Sequence, residues 1–381
     1  ENAFNSMLGD LNKRSDILKK SLGDLYDPVM SNFKKIEENS ILPRIFAKDP
    51  TVWTFDIQAY PEIRNRLGWL DAHMNTAKNI EEFRIILKSL KENGIRKVLL
   101  LGMGGSSLAP EVMALTFKEI SDLKLEIVDS TDPGQVLEAD HSHPTSETVY
   151  IISSKSGGTA EVRALLDYFY QRAKDTLGEK AGSHFIAITD PGTQLERIAK
   201  ELNFRNIVLS DPAVGGRFSA ITPFGVLPAT LIGIDPAIVL EKVNAIAKKS
   251  TPSNPVASNE GAALGVYMGT AALLGRDKFT ILTDPELESF GSWLEQLIAE
   301  SSGKNGKGII PVDIEPQTDP SVYAKDRAFV YIQTSGTQCD FIDQLMKVGQ
   351  PVLTIKLNDL PDLFAERSEE HTSELQSRGL I

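Results

Sequence analysis

The sequence predicts an α/β protein of two three-layer α/β/α domains with parallel sheets, preceded by a helical N-terminal segment. Short apolar runs alternate with helical segments from Lys97 onward, the pattern of a parallel sheet covered on both faces. The alternation occurs twice, separated near residues 235–265. A length of 381 residues, 41% of them hydrophobic and 24% charged, accommodates two cores and fits neither a disordered chain nor a fibre.

Residues 1–94 form the helical segment. Leu18, Leu22, Leu25 and Met30 recur mostly at three- and four-residue intervals among lysines and glutamates. Lys13 to Lys20 reads as a solvated helix face rather than a basic patch. Trp53 and Pro61 lie in a less regular stretch, and Ile80 to Asn93 is an amphipathic helix closed by Gly94. The first α/β domain spans 95–235. Its expected strands are Val98–Leu101, Leu125–Val128, Val149–Ser153, Phe185–Thr189 and Ile207–Leu209, with helices at Ala160–Arg172 and Thr193–Glu201. The second domain spans 236–366. It opens with helix Pro236–Lys249, which Asp235 is placed to cap, and a small-residue helix, Glu260–Leu274. Strands follow at Phe279–Leu282, Ile309–Val312, Phe329–Ile332 and Val352–Ile355, with helix Glu288–Ser301 between the first two. No close sequence repeat accompanies the repeated alternation.

The chain begins at Glu1 without a methionine and reads as a piece of something longer. Residues 367–381 are polar without a clear apolar face, and the string RSEEHTSELQS resembles the translation of a common sequencing-library adapter. The expectation is an artefact joined to a natural chain cut after Glu366. A net charge of −12 argues against a nucleic-acid partner, although a few backbone N–H groups could still bind one phosphate. No apolar run approaches the roughly 20 residues a membrane helix needs, so no membrane partner is expected. The one cysteine, Cys339, excludes an intramolecular disulfide and a cysteine zinc cluster. It suits a reducing compartment, and the cytoplasm is the expected location.

In open parallel sheets ligands bind beyond the carboxyl ends of the strands, and three loops of the first domain have suitable composition. Residues 102–107 (GMGGSS) follow the first strand. Their glycines allow close backbone approach and their hydroxyls favour an anion, while a tight structural turn is the plain alternative. Ser107 stands where a dinucleotide fingerprint would want a glycine. Residues 153–159 (SSKSGGT) gather the hydroxyls of Ser154, Ser156 and Thr159 before a helix, a donor set suited to a phosphate monoester. A serine-rich turn with an N-cap at Thr159 explains that spacing equally well. No Walker-type G-x-x-x-x-G-K-[ST] is present. Residues 214–219 set Arg217 between a glycine pair and Phe218, where it could hold a phosphate or an oxyanion; in isolation it reads as a surface arginine after a flexible turn. In the second domain Gln296 and Glu300 are four apart and share a helix face. A partly buried Glu300 could act as a general base, and standing alone it reads as a solvated carboxylate. Asp140, His141 and His143 read as a polar loop rather than a metal site, because no further ligands cluster with them.

Together, GMGGSSLAPE (102–111), SSKSGGTAE (153–161), DPAVGGRFSAITPFG (211–225) and LEQLIAESSGK (294–304) resemble the ordered motifs of the glucose-6-phosphate isomerase family. That family has the sugar-isomerase (SIS) fold and in some bacteria is fused behind a transaldolase. The resemblance runs from about Trp53 to Glu366, with Pro212 where a polar residue is usual. It implies SIS-type domains and an aldose–ketose isomerase that interconverts glucose 6-phosphate and fructose 6-phosphate through a cis-enediol. By the same resemblance Gly105, Ser106, Ser154, Ser156 and Thr159 hold the sugar phosphate. Glu300 shuttles the proton between C1 and C2, Arg217 stabilises the enediolate, and Lys155, Glu161 and Gln296 line the sugar site. Such chemistry needs a carboxylate base and a nearby cation, but no metal and no redox cofactor. The family also implies a homodimer, and a transaldolase domain ahead of Glu1 is compatible with the missing methionine.

Two departures stand out. The family's ring-opening histidine lies downstream of its glutamate, whereas His73, His141, His143 and His184 all lie upstream here and His371 lies in the tail. Gln350 is in the expected neighbourhood but cannot do that work. The family's substrate-contacting lysine belongs to a C-terminal helix that would follow Glu366. Two other readings stay in view: a non-catalytic SIS module that senses a sugar phosphate, which Glu300 and Arg217 together argue against, and an NAD-dependent oxidoreductase, which Ser107 disfavours. The use of mannose 6-phosphate depends on pocket shape and is open at this level.

Overall fold

The computed structural model describes residues 15–117, 122–251, 256, 259–304, 306–334 and 339–357. Residues 1–14, including Lys13, the end of the expected second domain (358–366) and the adapter-like tail 367–381 lie outside the described residues.

A five-stranded parallel sheet organises residues 65–241. Its strands are β1 (Lys97–Gly102), β2 (Lys124–Val128), β3 (Thr148–Ser153), β4 (Phe185–Thr189) and β5 (Asn206–Leu209), in the spatial order β2-β1-β3-β4-β5. Each forms within one residue of its expected ends. Leu99, Leu101, Tyr150, Ile152, Phe185 and Ala187 share one face. They pack on Val162, Leu165 and Phe169 of helix Ala160–Leu177 and on Leu195 and Ala199 of helix Gln194–Glu201. The alternate residues Val98, Leu100, Ile151 and Ile186 are equally buried on the opposite face. Burial on both faces is what a continuous apolar run, rather than an alternating one, encodes. The Tyr150 ring lies 4.8 Å from Phe185 and 5.4 Å from Phe169, so aromatic packing closes the centre of this core.

A second parallel sheet, of four strands, lies in the other unit. It contains β6 (Lys278–Thr283), β7 (Ile310–Val312), β8 (Arg327–Gln333) and β9 (Val352–Lys356), in the order β7-β6-β8-β9. Phe329, Tyr331 and Val352 pack on Phe341, Ile342 and Leu345 of helix Asp340–Lys347. On the opposite face Tyr267, from helix Glu260–Leu273, lies edge-on to Phe279 at 6.2 Å.

The helical segment expected over 1–94 is divided between the two units. One unit is 65–241; the other joins 1–64 to 242–381. Helices Ser15–Leu22 and Tyr26–Glu38 therefore belong with the second half of the chain. Asn32 Nδ2 donates to Thr270 Oγ1 at 2.9 Å, Arg276 pairs with Asp24 at 2.8 Å, and Ser21 Oγ donates to the Val352 carbonyl. The cause is the apolar stripe of these helices: Leu18, Leu22 and Leu25 are buried, and a stripe of that width needs a sheet or helix to cover it. Helix Ile80–Glu92 buries Phe83, Ile86 and Leu90 within the first unit, where Arg205 Nη1 reaches Ser89 Oγ at 3.0 Å. The later division between the two units falls inside helix Pro236–Lys249, after Glu241. Asp235 caps that helix as expected, accepting from the Ala237 N–H at 3.0 Å.

Candidate active site

In the order β2-β1-β3-β4-β5 the winding reverses between β1 and β3, and the crevice of such a sheet opens beyond the carboxyl ends of those two strands. Gly102 and Ser153 are register partners there, so the first two candidate loops leave the sheet side by side. Ser153 Oγ donates to the Ser106 carbonyl at 2.8 Å and ties them together. The third loop joins at Gly105. A Cβ on Gly105 would lie 2.5 Å from the Gly216 carbonyl and 2.8 Å from the Arg217 nitrogen, so only glycine permits the approach. Ser219 Oγ lies 3.2 Å from the Gly105 carbonyl and 2.6 Å from that of Gly216. The two serines of the first loop are both buried, and Ser107 Oγ donates back to the Gly104 carbonyl at 3.0 Å.

The serine loop is organised by its own hydroxyls. Ser154 Oγ accepts from the Gly157 N–H at 3.1 Å, and the exposed Ser156 Oγ accepts from the Gly158 N–H at 3.2 Å. Gly157 has φ +66°, and a Cβ there would meet the Leu195 nitrogen at 2.7 Å. Thr159 occupies the N-cap position of helix Ala160–Leu177 but its side chain makes no capping hydrogen bond. The cap explanation of its spacing therefore fails. Its hydroxyl stands at the positive end of an 18-residue helix. Glu161 is exposed in the first turn of that helix.

Lys155 is held from two sides. Its ammonium donates to Asp190 Oδ1 at 2.7 Å and to the Asp211 carbonyl at 3.1 Å, and it stands 5.4 Å over the Phe224 ring. Burial pulls this ammonium below the usual lysine range, opposed chiefly by Asp190. Burial likewise pushes the Asp190 carboxyl up, opposed by Lys155.

Arg217 sits on a built turn, not on a flexible one. Its guanidinium lies 5.0 Å over the Phe218 ring, and Phe218, which is buried, stacks on Trp69 at 6.3 Å. The Gly68 N–H donates to the Ala213 carbonyl at 3.0 Å. Asp211 accepts from the Ala213 N–H at 2.8 Å and from Asn75 Nδ2 at 3.1 Å. These contacts correct the reading of Arg217 as a loose surface arginine, because its side chain lies over a buried ring and the turn that leads to it is held at residues 211 and 213.

In the other unit, helix Glu288–Ser302 buries Phe290, Trp293, Leu294, Leu297, Ile298 and Ser301. With that stripe committed to its own core, Gln296 and Glu300 project from the other side, and Gln296 Nε2 donates to Glu300 Oε1 at 2.9 Å. Glu300 is exposed, so the partly buried carboxylate considered from sequence is not what forms.

His143 and His184 lie elsewhere in the fold. His143 is buried, with Nδ1 3.0 Å from the Ala139 carbonyl, and burial lowers its pKa. His184 directly precedes β4, at the amino end of the sheet, with Nδ1 2.8 Å from the Thr148 carbonyl. Asp140 accepts from Tyr168 Oη at 3.1 Å and pairs with Arg172 at 3.0 Å. Gln350 Nε2 donates to the Tyr323 carbonyl at 2.8 Å. Among the described residues, no group of three or more His, Cys, Asp and Glu side chains is arranged to hold a metal. Sequence reasoning missed Asp190, Asp211 and Trp69. The first two carried a usable signal, since both are Asp-Pro pairs just past the carboxyl end of a strand.

The phosphoglucose isomerase family matches residues 73–327, a span that holds all four motifs. This chain belongs to the phosphoglucose isomerase family. It is 29% identical over 269 residues to the glucose-6-phosphate isomerase of Lactococcus lactis subsp. cremoris, covering 66% of this chain and 59% of the relative. It is 28% identical over 261 residues to that of Methanocaldococcus jannaschii, covering 65% and 63%. The chain thus spans about three fifths of the length of these curated relatives. Among solved structures, a hypothetical protein of Thermus thermophilus superposes with a TM-score of 0.74 at 20% identity, over 92% of this chain and 90% of that one. A glucose-6-phosphate isomerase from Chlamydia trachomatis superposes with a TM-score of 0.69 at 18% identity, over 82% and 70%. These likenesses extend the SIS-type α/β architecture of the phosphoglucose isomerase family to this chain.

Proposed function

We propose that this chain is an aldose–ketose isomerase that interconverts glucose 6-phosphate and fructose 6-phosphate through a cis-enediol intermediate. The observation that carries the reading is the convergence of the two hydroxyl-rich loops and the arginine loop where the sheet order reverses, at β1 and β3. Ser106, Ser154, Ser156 and Thr159, with the backbone of Gly105 and the N-terminus of helix Ala160–Leu177, take the phosphate as hydrogen-bond donors. Lys155 and Glu161 face the sugar. Glu300 removes the proton from C2 of the aldose and returns it to C1, while a hydroxyl proton passes from O2 to O1, so that no atom is gained or lost. Gln296, bonded to Glu300 at 2.9 Å, orients that carboxylate. Arg217 stabilises the negative charge that develops on the enediolate oxygen. The family resemblance supports a homodimeric, cytoplasmic enzyme as part of the same proposal. Ring opening has no assigned acid.

The reading is tested by NMR on fructose 6-phosphate in D₂O with this chain. Glucose 6-phosphate carrying deuterium at C2 is the expected product. The Glu300→Gln protein should form it about 10²- to 10⁴-fold more slowly. A parent chain that binds the sugar phosphate but yields neither product nor exchange would overturn the proposal, and a fully active Glu300→Gln protein would remove the base.

A further inference from the structure

A lysine ammonium on its flexible stem is a poor director of hydrogen bonds unless other groups hold it. At Lys155 that holding is visible. Two of its three N–H groups are taken, by Asp190 Oδ1 at 2.7 Å and the Asp211 carbonyl at 3.1 Å. The side chains of Lys155 and Asp190 are only 14% and 15% exposed, so water competes weakly for the pair. The backbone is held from the same side: Thr189 Oγ1 and the Asp190 N–H each approach the Lys155 carbonyl at 3.4 Å. The turns after β4 and β5 thus grip the lysine in the middle of the serine loop.

We propose that Asp190 is the positioning residue of this site: it fixes the Lys155 ammonium so that its third N–H is presented to a sugar oxygen, and it offsets the lysine charge there. The proposal rests on the isomerase reading for its substrate but not for its geometry. It makes Lys155 a directed donor to a neutral hydroxyl or carbonyl oxygen rather than a counter-ion for the phosphate, whose donors are the loop hydroxyls and helix N-terminus.

The charged groups facing Lys155 are Asp190 and Asp211, which favour its protonated form, and Arg66, which opposes it. Burial acts in the same direction as Arg66. Asp190→Asn keeps an acceptor oxygen but removes the counter-charge, so Lys155 loses its proton at a lower pH. The alkaline fall of kcat/KM for fructose 6-phosphate should move down by about one pH unit. Asp190→Glu, which keeps the charge, should leave that limit in place. Asp190→Ala, lacking both acceptor and charge, should lower kcat/KM about tenfold or more. The same titration is followed without substrate, by NMR of the Lys155 Cε in protein carrying ¹³C-labelled lysine and assigned with Lys155→Arg. A uniform loss of kcat/KM at every pH, with Lys155 titrating in Asp190→Asn as in the parent chain, would overturn the proposal. If the parent chain does not isomerise at all, the isomerase reading fails and the NMR titration alone decides. A downward shift then supports the role of Asp190, and an unchanged one overturns it.

Discussion

At Gly105 the distance from a would-be Cβ to the Gly216 carbonyl is 2.5 Å, with the Arg217 nitrogen at 2.8 Å. Both neighbours are backbone, so an alanine cannot be accommodated by turning a side chain. Gly105→Ala is expected to lower stability by about 1–3 kcal/mol in urea unfolding. On the proposed isomerase reading it should also reduce isomerisation by more than that loss explains, because the displaced segment carries Arg217. An alanine variant with the parent's urea midpoint and activity would contradict the contact. From sequence the glycine was legible only as permission for close approach; what approaches it was not. Glu300 shows the reverse case. Its face, shared with Gln296, follows from helical spacing, whereas its role as base is what the family resemblance implies. Its exposure depends on which side of the helix the sheet claims.

Among the elements, helix Glu260–Leu273 shows how a short-side-chain sequence is used. Gly261, Ala262, Ala263, Gly265, Gly269 and Ala271 are all buried, and small residues let the helix lie close to its neighbours. Tyr267 is the helix's largest buried side chain. Its hydroxyl donates to the Phe329 carbonyl at 3.0 Å and lies 3.1 Å from that of Pro351, linking the helix to β8 and the approach to β9. Tyr267→Phe leaves those buried carbonyls without this donor while keeping the ring, and should cost about 1–3 kcal/mol by urea unfolding. A change within about 0.5 kcal/mol would show that the hydroxyl is dispensable. The inner strands β1, β3, β4 and β8 were legible because a parallel strand buried on both faces is a plain apolar run, while the edge strands β2, β5 and β7 are less buried and carry polar or exposed positions. Helix ends were less so: Ala160–Leu177 continues past Arg172, since its later turn buries Ala173 against the same core.

Over the whole molecule, chain order and spatial grouping part company. Residues 1–64 belong with 242–381, and the Asn32–Thr270 hydrogen bond of 2.9 Å spans that separation. Asn32→Ala is expected to destabilise the protein by about 1–2 kcal/mol, measured by urea midpoint, because it leaves the buried Thr270 hydroxyl short of a partner. No change in midpoint would mean that this hydrogen bond adds nothing to the stability of that unit. Local sequence was enough for the parallel α/β class, the strands, and the residue types gathered into the serine, glycine and arginine loops. These follow from periodicity, from turn chemistry and from the rule that sites lie beyond carboxyl strand ends. Three features became visible only in the folded chain: the N-terminal helices serve its second half, Gly105 receives the arginine loop, and Asp190 and Asp211 grip Lys155. Those are long-range choices among several apolar stripes and several acidic turns that look alike in sequence. They are settled by which surfaces can be buried together without stranding a polar group.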